Sequence, residues 1–344
     1  MKNSLATLTL IADTLYDPEI YFQSLYEACQ NYKSLLLEIT EISLEDSQHN
    51  NDIFTDSGRA IGTEWAIRCV EDITRTKTYC KGLYDAVLEM DRQQDRPVRV
   101  IYAGTGPFAT LALPLITRFT PDQLQFDLLE INQASAGFLK KVINFFEMED
   151  YVNLFEVTDA TTYQIPNPET VNIVLSETMQ AALASEPQVA LSYNLMSQLP
   201  EKAVLIPEEI SLHLYAINDD KRQHYKLSME EVDQTSYYSD LGLLYKINKE
   251  EIGQYAQQIK AMGSEAAFDP VIISVPSDTH RKFHNLMIAT KIKVYKENEI
   301  QLESSGLTAL RQFESLNPMM QTVKSLKATY FSGEYPGLNF ELNP

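Results

Sequence analysis

Apolar positions in the first 58 residues recur at helical spacing, as in Tyr21-Phe-Gln-Ser-Leu-Tyr-Glu-Ala-Cys29. That predicts a helical N-terminal extension. A polar stretch over 45–52 reads as the loop that closes it. Between 64 and 90, Trp65, Cys69, Ile73, Tyr79, Leu83 and Val87 recur near every fourth position, predicting one long amphipathic helix. After Arg96-Pro97 the period changes. Short apolar runs at 98–103, 126–131, 154–157 and 171–175 alternate with helical patterns at 108–119 and 134–147, and with a last one ending at Leu195. Such a strand–helix rhythm predicts a parallel, doubly wound α/β sheet. From Ala203-Val-Leu-Ile-Pro207 onward the runs are short and rich in Tyr, Ile and Val, at 210–217, 271–275, 286–295 and 328–331. They predict a mostly antiparallel β domain, interrupted by a charged helical insertion over about 218–265. The chain thus divides into 1–58, 59–206 and 207–344.

Charge and cysteine usage narrow the class. With 28 basic and 48 acidic residues the net charge is −20. This excludes a phosphate-backbone partner, which needs clustered Lys and Arg. It is compatible with a cationic ligand. Cys29, Cys69 and Cys80 have no metal-ligand spacing and form no disulfide framework; a reducing cytoplasm is the expected location. No apolar run approaches the roughly 20 residues of a membrane span, and the Met1–Asp13 stretch does not read as a signal peptide. His280 and His284 are four apart, but no third ligand lies near, so no metal site is expected.

The candidate chemistry lies at the strand ends. Val100-Ile-Tyr-Ala-Gly104-Thr105-Gly106-Pro107 joins the first strand to the next segment, and glycines at such a turn let backbone N–H groups approach a ligand. The absence of a basic residue and the presence of Pro107 argue against a pyrophosphate. The second strand ends in Glu130 and the third in Asp159-Ala160, placing one acid for ribose hydroxyls and another for an adenine amino group. The fourth ends at Ser176-Glu177, and Glu186 follows nine residues later. Alone, those two glutamates read as acids on a solvated loop. Converging at a strand's carboxyl end, they would grip a planar cation such as a guanidinium, whose N–H fork carboxylates accept bidentately.

Gly104-Thr105-Gly106, Glu130 and Asp159 at successive strand ends resemble class I S-adenosylmethionine-dependent methyltransferases. Asp72-Ile-Thr-Arg75-Thr-Lys-Thr-Tyr79 in the preceding helix, and Ser176-Glu177 with Glu186, are similar to motifs of the protein arginine methyltransferases. The resemblance covers roughly 64–335. It implies a Rossmann-like domain followed by a β-barrel-like domain, S-adenosyl-L-methionine as cofactor, and a homodimer whose arm is the 218–265 insertion. It implies that Arg75 binds the methionine carboxylate, with Asp72, Gly104, Thr105, Gly106, Glu130, Asp159, Ala160 and Ser176 forming the rest of the cofactor site. Glu177 and Glu186 become the catalytic clamp on a guanidino group. Two departures stand out. Gly62-Thr-Glu-Trp65 occupies the place of the family's Tyr-Phe-x-x-Tyr segment, and Asn317-Pro318-Met319-Met320 that of its Thr-His-Trp loop. They favour a small guanidino molecule, such as free arginine, over an arginine-containing peptide. Two other readings are the same fold acting on another amine or hydroxyl, and a non-catalytic partner protein.

Overall fold

The computed structural model describes residues 2–43, 51–228, 234–262, 266–316 and 323–343. The Asn317–Met320 loop and most of the 45–52 stretch fall outside the described residues. Two antiparallel helices open the chain, α1 (Lys2–Tyr16) and α2 (Phe22–Thr40). Their apolar stripes, Leu8, Ile11 and Leu15 on one and Cys29, Tyr32 and Leu36 on the other, are buried in the main core. Helix α2 ends at Glu41 in the left-handed conformation, whose N–H returns to Leu37 O. A small hairpin follows, β1 (Ile53–Thr55) and β2 (Gly58–Ala60).

The single helix expected over 64–90 is two helices, α3 (Thr63–Arg68) and α4 (Ile73–Asp91), joined by a short 3-10 turn. Asp72 causes the break. Its backbone leaves the helical region and its carboxylate accepts the Arg75 N–H, an N-cap that starts α4 afresh. The apolar periodicity continues through the joint, so periodicity alone could not reveal it.

The α/β core is a parallel five-stranded sheet in the order β5-β4-β3-β6-β7. Its strands are β3 (Val98–Ala103), β4 (Leu124–Glu130), β5 (Val152–Val157), β6 (Ile173–Ser176) and β7 (Val204–Ile206). All six residues of β3 are buried, as in a strand covered on both faces. The order reverses between β3 and β6, the doubly wound signature. Helix α5 (Gln133–Phe145) connects β4 to β5 and is capped by Asn132. The helix expected over 108–119 is absent: turns and a 3-10 segment, Leu113–Thr117, take its place. Pro114 sits inside that segment and Ala109 adopts a positive φ of 46°, both incompatible with a continuous α-helix. Helix α6 (Gln188–Met196) begins only after a long loop from β6.

The remainder is antiparallel. Strand β8 (Glu209–Ile217) is flanked by β9 (Tyr238–Asn248) and β11 (Asn285–Tyr295), and β12 (Asn298–Ile300) and β13 (Arg311–Ser315) extend the sheet. A second sheet pairs β10 (Val271–Ser274), β14 (Ser325–Phe331) and β15 (Gly337–Asn343). Among the described residues strand pairing does not join these two sheets. The segment read as a helical insertion holds α7 (Asp219–Leu227) and α8 (Lys249–Met262), but between them lies β9, eleven residues paired along β8. The charged segments on either side of it masked the strand in sequence. No helix among the described residues is long and apolar enough to cross a membrane.

Candidate active site

Parallel sheets gather ligands where strand order reverses, outside the carboxyl ends. A cavity of about 530 Å³ lies there. The turn after β3, the ends of β4 and β5, the loop after β6, the start of α4 and the β1–β2 hairpin all contribute to its wall. Gly104 and Gly106 both adopt positive φ, 75° and 60°. A Cβ on Gly104 would stand 2.3 Å from Thr178 Cγ2, so the turn after β3 and the loop after β6 touch there with no room for a side chain.

Glu130 ends β4 with its carboxylate buried. Oε2 accepts the Gly106 N–H at 2.7 Å and the Thr105 hydroxyl at 3.3 Å, and Oε1 accepts the Asn132 N–H at 2.8 Å. Burial pushes its proton affinity up; the donated N–H groups oppose that. Asp159 accepts the Thr161 N–H and hydroxyl on Oδ1, each at 2.8 Å, which leaves Oδ2 for a ligand. Asn194 Nδ2 holds the segment after β5 by donating to Ala160 O at 2.8 Å and Tyr163 O at 2.9 Å.

Glu177 and Glu186 line the same cavity and are both buried. Glu177 Oε2 forms a salt bridge with Arg75 Nη2. Its Oε1 is buried and accepts no hydrogen bond among the described residues. Glu186 has its pKa pushed up to about 7, chiefly by burial; Arg75, the Gln180 side chain and Arg59 partly offset this. A buried carboxylate without sufficient donors is costly. This wall therefore carries unfilled acceptor capacity beside a site for a cation.

No family model matches the chain, and no curated protein matches it. Among solved structures, PRMT6 superposes with a TM-score of 0.53 at 10% identity, over 81% of this chain and 99% of that one. The Trypanosoma brucei PRMT1 enzyme–prozyme heterotetrameric complex with AdoHcy superposes with a TM-score of 0.51 at 10% identity, over 81% and 92%. The fold resembles that of the protein arginine methyltransferases. At 10% identity the likeness is one of architecture.

Side-chain contacts sort the expected residues. Arg75, Gly104, Thr105, Gly106, Glu130, Asp159, Ala160, Glu177 and Glu186 all meet at the cavity. Asp72 reaches its wall too, but its carboxylate is committed elsewhere: Oδ1 caps α4, and Oδ2 accepts Ser305 Oγ at 2.6 Å and Gly306 N at 2.8 Å. It ties the helix to the β domain. Ser176 does not reach the wall. It is fully buried, with its hydroxyl 3.3 Å from Gln188 Oε1. Arg75 faces Glu177 in this structure, where the resemblance implied a cofactor carboxylate.

The loop between the glutamates owes its shape to residues the sequence did not announce. Ala182, Leu183 and Ser185 have positive φ of 68°, 50° and 69°, a region that side chains disfavour. Four contacts hold them there. Ala182 N donates to Thr290 Oγ1 of β11 at 2.8 Å, and Leu183 O accepts Tyr330 Oη of β14 at 2.8 Å. Ser185 N donates to Pro336 O at 3.0 Å, and Ser185 O accepts the Arg59 N–H at 2.8 Å. Gly58 lets the hairpin approach: with φ of 128°, a Cβ there would lie 3.0 Å from Ser185 O. The antiparallel domain thus works as a mould for the glutamate loop. Its contributors are distant in sequence, and the only local hint was a glycine beside an arginine.

Proposed function

We propose that this protein is an S-adenosylmethionine-dependent N-methyltransferase acting on a guanidino group, with a free arginine-like metabolite favoured over protein arginine. The observation that carries this reading is the pair of buried carboxylates, Glu177 and Glu186, on the wall shared with Glu130 and the Gly104–Gly106 turn. Glu177 already holds one guanidinium, that of Arg75, and its second oxygen is buried without a hydrogen-bond partner among the described residues.

The cavity suits the cofactor chemically. The glycine turn has no lysine or arginine beside it, as fits a nucleoside without phosphates. Glu130 lies where ribose hydroxyls could reach its carboxylate, and Asp159 Oδ2 has no partner among the described residues, as fits an adenine amino group. When bound, S-adenosylmethionine supplies a methyl carbon that leaves sulfur with its bond broken as a new bond forms to nitrogen.

The chain's own residues do the rest. Positioning the nucleophilic nitrogen can contribute about 7–11 kcal/mol to such a step. Glu177 and Glu186 accept N–H groups of the guanidinium and draw its positive charge toward the nitrogens they touch. That leaves electron density on the nitrogen facing the methyl group. Glu186, with a pKa pushed up to about 7, takes the proton released from the methylated nitrogen. Arg75, displaced from Glu177 by the substrate, is then free to pair with the methionine carboxylate. The hairpin packed on Ser185 and Glu186 roofs the acceptor side, which supports a compact substrate. Self-association around α7 and α8 belongs to the same reading, and a monomeric mass in solution would remove it.

The deciding assay is release of S-adenosylhomocysteine with free arginine, an arginine-rich peptide or neither. Glu177→Gln and Glu186→Gln are each expected to abolish it. Wild-type turnover in both variants would sink the assignment.

A further inference from the structure

Among the arginines of the described residues, Arg59 is the one whose Nε is buried without a hydrogen-bond partner. Arg68 grips Glu64, Arg99 grips Asp127 and Arg222 grips Glu303, each through both Nε and Nη2 of one guanidinium edge. That edge matches a carboxylate bidentately. Among the described residues no carboxylate sits on the same edge of Arg59. Its Nη1 donates to Asp52 Oδ2 at 3.1 Å, and Asp52 is itself fixed by the Gly62 N–H on Oδ1 at 2.8 Å. Its Nε is buried with no hydrogen-bond partner among the described residues. A buried guanidinium N–H left without an acceptor costs free energy, and native structures rarely leave one so.

The position of this edge is set firmly. The Arg59 main-chain N–H is bonded to Ser185 O, and Gly58 is pressed against the backbone of Ser185 and Glu186. Arg59 lines the cavity with Glu186, and its charge lowers the proton affinity of that carboxyl. Glu177 and Glu186 suit a cation, and the Arg59 side chain, 32% exposed and lining the same cavity, adds a positive group beside them, so the cavity suits a ligand carrying both charges.

We propose that Arg59, oriented by Asp52, binds the carboxylate of a free guanidino acid whose guanidinium lies between Glu177 and Glu186. This rests on the guanidino-methyltransferase reading and narrows it to a zwitterionic amino acid or related guanidino acid. A peptide, whose carboxylate is tied up in an amide, gains nothing from Arg59.

The test measures kcat/KM by S-adenosylhomocysteine release for arginine, argininamide and decarboxylated arginine. Loss of a charge-assisted pair predicts a preference for arginine of roughly 10- to 100-fold over the two compounds lacking a carboxylate. In Arg59→Gln the preference collapses toward unity, and Arg59→Lys restores part of it. Calorimetric binding of S-adenosylhomocysteine to both variants reports folding and the cofactor side separately. Equal use of arginine and decarboxylated arginine by the wild type overturns the Arg59 assignment and leaves the guanidino reading standing. So does an equal fall for all three compounds in Arg59→Gln. Weakened S-adenosylhomocysteine binding with an unchanged preference would place the fork on the cofactor and also overturn it. Turnover of no guanidino compound overturns both readings.

Discussion

The carboxyl of Glu186 is the most informative group to perturb, because its buried setting has a measurable cost in the absence of ligand. Its pKa moves from 4.5 to about 7 on folding, mainly through desolvation. The folded state therefore binds the proton more tightly than the unfolded one. Stability is full below pH 4.5, falls as pH rises, and levels off above about 7. At about 1.4 kcal/mol per unit the whole cost is about 3 kcal/mol, and roughly 2.5 kcal/mol of it develops between pH 5 and pH 8. Glu186→Gln cannot titrate and so removes this pH dependence. An unfolding entropy of about 2.1 cal/mol/K per residue over 344 residues gives ~0.7 kcal/mol/K. The Tm of the variant should thus gain ~3 °C on the wild type between pH 5 and pH 8. Calorimetry on ligand-free protein measures the gap directly, and other titrating groups cancel in the difference. A gap that stays constant, or closes at high pH, would refute the picture of an under-compensated buried carboxyl.

The same group should govern binding. KM for the guanidino substrate is expected to rise about tenfold per pH unit below about 7 and to flatten above it; a flat profile from pH 5 to 8 would remove Glu186 from the clamp. Thr290→Val leaves the Ala182 N–H buried without an acceptor, a loss of ~1–3 kcal/mol. It should lower kcat by loosening the glutamate loop, with unfolding curves and initial rates as the readouts. Gly104→Ala brings a Cβ to 2.3 Å from Thr178 Cγ2 and should abolish S-adenosylhomocysteine binding in calorimetry. Adding Thr178→Ser removes the clashing methyl and should restore part of that binding.

Much of the architecture was legible in the sequence because it follows local rules. Buried parallel strands are continuous apolar runs, so β3, β4 and β6 appear close to their observed bounds. The acids and glycines that end those strands are fixed by covalent adjacency, and the sheet brings Gly104, Glu130, Asp159 and Glu177 to one edge. Less legible were features decided by competition between local signals. Asp72 breaks a helix whose apolar period runs on, because a cap depends on one side chain's hydrogen bond. Strand β9 hides in a charged stretch because pairing with β8 outweighs its composition.

Sequence alone determined which residues could carry charge to the strand ends. Tertiary structure decided what each faces. It turned Ser176 away from the cavity, committed Asp72 to the β domain, and set Arg75 against Glu177. It also brought Arg59, Thr290 and Tyr330, far apart along the chain, onto a single loop. Burial and hydrogen-bond completion act through space. The raised pKa of Glu186 and the buried, unpartnered Nε of Arg59 therefore exist only once the β domain and hairpin have closed around them.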